Sequence, residues 1–174
     1  MSMYNFPKFI TQPILYHMKM KQYLLDTFRY NDQTNRKLLE KIKLLPEKAE
    51  SIKFFSHLIN SQYKWMARIK QDPKAPGMSW WDPVYPLESL EEEWEKSLQP
   101  WLDFIQSHTD EELGTEVMFT GFDGGRWMAT PQDIALQLNY HSIHHRAQIQ
   151  TLIRSQGIEP DFVDYIGTKY RKLD

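Results

Sequence analysis

The sequence contains no cysteine. Disulfides, iron–sulfur clusters, cysteine-ligated zinc and a cysteine nucleophile are excluded together, and any metal has to be held by His, Asp or Glu. No apolar run reaches the roughly 18 residues that a membrane helix requires, and the N-terminus lacks the charged-then-apolar order of a secretory signal. The expectation is a cytoplasmic protein that does not engage a membrane. Charge of one sign is also missing: 21 Lys and Arg stand against 23 Asp and Glu, for a net charge of −2. The two signs are interspersed and no basic stripe forms, so nucleic acid is not an expected partner. The longest like-charge run, Glu91–Glu93, reads as the solvated face of a helix. Internal repeats and low-complexity segments are absent as well.

What is present suits a single helical domain. A chain of 174 residues can bury one core, and 41% hydrophobic with 25% charged residues is an ordinary globular mix. We read the whole chain as one domain, with residues 1–20, which hold Pro7 and Pro13, as an ordered N-terminal arm carrying a short helix after Pro13. Apolar residues recurring at three and four, including Leu24, Phe28, Leu38 and Ile42, predict a helix over 21–45 that Pro46 ends. A second helix is predicted over 47–70, with Phe54, Leu58, Trp65 and Ile69 inward, and a third over 87–107, with Leu90, Trp94, Leu98, Trp101, Leu102 and Ile105 inward. Between these lies a long connection, 71–86, with four prolines and with Trp80, Trp81 and Tyr85. Connections of this length are either functional or a topological crossover whose aromatics pack on the bundle. Residues 115–120 and 126–129 flank a glycine-rich turn and predict a β-hairpin; the turn lacks the spacing of a phosphate loop. A fourth helix opens sharply, with Thr130 as N-cap, Pro131 at its first position and Asp133 as the capping acid, and closes at Gly157.

The fourth helix carries the chemistry. On a wheel of about 100° per residue, with His141 at zero, His145 falls near 40°, among Ile134, Leu138, Ile149 and Leu152, whereas His144 falls near −60° at the rim. Two imidazoles one turn apart on an apolar face repel if charged and leave several ring nitrogens to satisfy if neutral. A divalent cation resolves both demands; a polar network without metal is the alternative. A metal needs at least one more protein ligand. His17 sits in the arm, His108 near a helix end where it is expected to be exposed, and His144 at the rim. His57, in the middle of the second helix beside Phe54 and Leu58, is the choice, with a plain rim histidine as its alternative. The same wheel shows a second apolar stripe, Leu136, Tyr140, Ile143 and Ala147, near 200–260°, which either the arm or a second subunit must cover.

The run His141-Ser142-Ile143-His144-His145-Arg146-Ala147-Gln148-Ile149, followed by Leu152-Ile153-Arg154 and Gly157-Ile158-Glu159-Pro160-Asp161, resembles the last helix of the DinB-like family. Phe55-Ser56-His57-Leu58, with Trp65 beyond it, is similar to that family's second-helix motif, and Thr130-Pro131 after a hairpin matches as well. The resemblance covers about 22–166, with Ala147 where Gly is common. It implies an all-α, up-down-down-up four-helix bundle, whose long crossover between helices 2 and 3 is supplied by 71–86 and whose small β-hairpin precedes helix 4. It also implies a metal triad of His57, His141 and His145 holding zinc, nickel or another divalent ion, and a homodimer. Two functions follow. One is a metal-dependent enzyme acting on a small-molecule substrate: three histidines leave an open coordination position, for water in a hydrolysis or for a low-molecular-weight thiol transferred to an electrophile. The pocket walls would then include some of Trp65, Trp80 and Trp81. The other is a non-catalytic, metal-binding stress-response protein. No catalytic residue beyond the metal ligands is assigned.

Overall fold

A computed structural model of the chain describes residues 19–121 and 123–173. Residues 1–18 of the expected arm, with its short helix and His17, lie outside the described residues, and Met20, placed in the arm, opens the first helix. The fold is mostly helical with one small antiparallel sheet. Four long helices, α1 (Met20–Leu44), α2 (Ala49–Ile69), α3 (Leu90–Ser107) and α5 (Pro131–Ser155), surround the core. A single helical turn, α4 (Asp110–Leu113), and the hairpin β1 (Val117–Thr120) and β2 (Arg126–Ala129) lie between α3 and α5.

The ends of these helices follow local chemistry. Leu45, the residue before Pro46, is extended and stops α1, as the proline ring demands. Thr130 accepts from the Asp133 backbone N–H to cap α5, with Pro131 at its first position. Gly157, at φ 79°, closes α5: its N–H bonds to the Arg154 carbonyl and that of Ile158 to the Ile153 carbonyl, the paired bonds of a left-handed C-terminal cap. α3 runs on through Pro100. Burial of Trp94, Leu98, Trp101 and Ile105 along one face outweighs the one intrahelical bond the proline removes.

α1 packs against α3 and α5, and α2 packs against the same two. Along α1 and α5 the contacts climb together: Asn139 bonds to Thr27 and Asn31, Ser142 to Asn35 and Gln156 to Glu47. Along α1 and α3 they run oppositely, from Phe28 on Trp101 to Lys43 beside Glu91. α2 and α3 run together, with Phe55 on Trp94 and the Gln62 carbonyl accepting from Trp101 Nε1. α2 and α5 run oppositely, which brings His57 to His141 and Phe54 to His145.

Two local features depart from the sequence reading. α4 was not expected. It carries a complete capping box, in which Thr109 accepts from the Glu112 backbone and Glu112 from the Thr109 backbone. Asp110 then accepts from the Lys21 N–H at 2.7 Å and so caps α1, whose own N-terminus has no capping side chain. The buried face of α5 is also rotated from the expected stripe, because Asn139, Ser142 and Arg146 are buried too. The Arg146 guanidinium bonds to Asn31, Thr34, Asn35 and the Tyr30 hydroxyl, so a polar network tolerates burial where an apolar stripe was the guide. Among the described residues the second stripe is open: Tyr140, Ile143 and Ala147 are exposed and Leu136 is partly buried.

Candidate metal centre

The polar face of α2 fixes the long connection in place. Ser56 Oγ accepts from the Tyr85 N–H at 3.0 Å, Asn60 donates to the Pro83 carbonyl at 3.1 Å, and Lys64 donates to the Met78 carbonyl. These four-residue steps on one helix face hold residues 78–85 along it. The connection is therefore both a crossover and a wall.

His57 belongs to the same set. Its Nδ1 donates to the Trp80 carbonyl at 2.6 Å, because a carbonyl can only accept. The bond leaves a lone pair on Nε2, which lies 2.8 Å from His141 Nε2. His145 Nδ1 donates to Gln148 Oε1 at 2.6 Å, again freeing Nε2. One ligating nitrogen from each of His57, His141 and His145 lies within 4.8 Å of the others. His57 and His145 are buried and His141 is partly buried. His141 thus stands at the edge of the buried face of α5 instead of within it.

The electrostatics keep the rings neutral. Burial, then the neighbouring imidazoles, push His141 down to about 4. Burial pushes His145 down to about 4, against the opposing effect of the bond it donates to Gln148. His57 is lowered by burial, against its bond to Trp80. Neutral imidazoles with convergent inner nitrogens, two of them with the outer nitrogen anchored to an oxygen acceptor, suit a divalent cation. Without a cation, His57 and His141 must share a proton along the 2.8 Å line. The donor set fits a metal ion.

Aromatic rings enclose the cluster. Trp81 stacks on His57, and Phe54 stacks on His145 with centroids 5.3 Å apart. A cavity of about 240 Å³ opens beside His57 and His141, bounded by Ser61, Trp65, Trp80, Gln137 and Leu138. Of the tryptophans expected as walls, Trp65 and Trp80 border the cavity and Trp81 covers the His57 ring. His144 is exposed, outside the cluster. His108 is partly buried, not exposed as expected, because its ring packs on Phe104 and bonds to the Phe104 carbonyl. Sequence reasoning missed Gln148 as the partner of His145, although its place three residues on was a usable signal. It had no signal for the stacking of Trp81 on His57 or for the Trp80 carbonyl.

A histidine cluster held between two antiparallel helices and roofed by a crossover defines the class: a helical protein with a site suited to a divalent ion. The sequence pattern of the DinB family matches residues 18–172. The chain belongs to the DinB family. No curated protein and no solved structure matches it.

Proposed function

We propose that His57, His141 and His145 bind one divalent ion per chain, zinc or nickel, and that the site is the catalytic centre of an enzyme acting on a small molecule. The observation that carries this reading is the convergence of three imidazole nitrogens with a cavity beside two of the rings, His57 and His141. In this reading the whole chain is one domain, and the long helices are an up-down-down-up four-helix bundle, supported by the running directions of their contacts.

A divalent ion held there would supply a Lewis acid with an exchangeable position, able to acidify a bound water or thiol. The residues of the chain do the rest. The Trp80 carbonyl and Gln148 fix two of the rings. Trp65, Trp80 and Leu138 give the cavity its apolar walls. Gln137, whose amide is uncommitted among the described residues, offers a donor and an acceptor to orient a ligand. The absence of cysteine suits a reaction whose nucleophile arrives with a cosubstrate, so transfer of a low-molecular-weight thiol to an electrophile is preferred over hydrolysis.

We place the protein in the cytoplasm, with no nucleic-acid or membrane partner; among the described residues no helix is long and apolar enough to cross a membrane. The open stripe of Tyr140 and Ile143, 59% and 46% exposed, supports a homodimer.

Elemental analysis tests the site: about one ion per chain is expected in the wild type, with loss in His57→Ala, His141→Ala and His145→Ala and retention in His144→Ala. Full retention in the three triad variants overturns the assignment. Thiol-dependent consumption of an electrophile by the metal-loaded protein, absent in His57→Ala, tests the reaction. A metal that binds and stabilises the fold, with no turnover across a broad thiol and electrophile panel, would leave the non-catalytic metal-binding protein instead.

A further inference from the structure

Arg68, in the last turn of α2, is 6% exposed. Its guanidinium carbon lies 4.7 Å from the ring centroid of Trp65 and 5.0 Å from those of Trp80 and Phe119. Aromatic faces stabilise the charge, but they do not answer donors that lie in the guanidinium plane. Arg68 Nε is buried without a hydrogen-bond partner, and among the described residues no acceptor or carboxylate engages the group. Lys64, one turn earlier, is 5% exposed and likewise lacks a carboxylate partner. Burial lowers both groups below their ordinary values, and Arg68 adds repulsion at Lys64. Two buried cations one turn apart with no anion are costly, and a lone cation near a helix C-terminus would not need its partner.

Arg68 borders a cavity of about 300 Å³, separate in its lining from the histidine cavity. Arg126, from β2, reaches the same space and has no ion-pair partner among the described residues; the Thr120 hydroxyl there is also uncommitted. The one carboxylate on the rim, Asp72, accepts through Oδ1 from the Lys74 N–H at 2.8 Å and pairs with neither Arg68 nor Arg126. We infer that this cavity is an oxyanion-binding site, in which the Arg68 fork, with Arg126 and Thr120, takes the carboxylate or phosphate group of a small molecule. Guanidinium geometry matches either group through paired N–H bonds. The site lies about 16 Å along α2 from His57, at 1.5 Å per residue, too far for one small anion to touch both. It stands whether or not the histidines hold a metal.

Calorimetric titration of the full chain with inorganic phosphate and with succinate tests the site, read in parallel by the emission of Trp65 and Trp80. Saturable binding of either anion is expected, unchanged in His141→Ala, about tenfold or more weaker in Arg68→Gln and several-fold weaker in Arg126→Gln. Arg68→Lys should not restore affinity, because an ammonium lacks the fork. Tighter phosphate marks a phosphoryl ligand and tighter succinate a carboxylate; either supports the site. No saturable binding of either anion at millimolar concentration overturns it. So does unchanged affinity in Arg126→Gln, an exposed position that decides the matter should Arg68→Gln fail to fold.

Discussion

Trp81 lies flat on His57, with ring centroids 3.8 Å apart and planes 11° from parallel. The indole shields one face of the His57 imidazole, and Trp81 itself is 39% exposed. The contact ties the long connection to the histidine cluster in addition to the Trp80 carbonyl. Trp81→Ala should weaken metal binding by about tenfold, the scale of losing a group that orients a ligand, and should remove a tryptophan signal that changes on titration with zinc or nickel. Competition titration against a chromophoric chelator checks the first outcome and emission spectra the second.

Gln148 fixes His145 from outside the cluster. Gln148→Leu keeps the volume and removes the acceptor of the 2.6 Å bond from His145 Nδ1. The ring is then free to turn or to change tautomer. Metal affinity should fall about 10- to 100-fold, with near-wild-type thermal stability in the metal-free state, read by competition titration and by a thermal melt in chelator.

Stability in chelator should fall with acid. His141 and His145 are held at about 4 in the native protein, against an ordinary value of about 6.5 in the unfolded chain. Between those values the unfolded state binds more protons, so it gains on acidification. The stabilisation is complete above about pH 6.5 and is lost as pH falls toward 4, with the steepest loss near pH 5. The partial exposure of His141 reduces the slope below two full protons. Urea unfolding at half-unit steps of pH measures it; a flat profile from pH 7 to 4.5 would contradict neutral native rings.

Arg146 is 2% exposed and holds together side chains from α1. Arg146→Ala leaves Asn31, Asn35 and the Tyr30 hydroxyl short of partners and opens a cavity. A loss of about 3 kcal/mol is expected from denaturant unfolding, the scale of breaking a buried charged network.

Asp110→Ala should cost about 1 kcal/mol, because it removes the side chain that caps α1 from outside. Thermal melts of Asp110→Ala and Asp110→Asn check it; the asparagine, which keeps an acceptor, should recover most of the loss.

Whatever depends on neighbours along the chain is legible in the residues themselves. Helical periodicity, the Thr130-Pro131 start, the Gly157 stop and the hairpin turn are local, and each appears within a few residues of its expected place. The spacing of His141 and His145 put both on one side of a helix, and the second-helix motif singled out His57. Tertiary structure alone decided the rest, because it depends on which groups meet from far apart in the chain. Trp80 gives a backbone carbonyl, which no residue identity announces. Asp110 caps a helix 89 positions away. Arg146 and Asn139 are polar residues whose burial is stable only because α1 supplies their partners. Nothing along the chain sets Arg68 apart from the other arginines. Only the packing of Trp65, Trp80 and Phe119 around it removes water and leaves its charge without an anion.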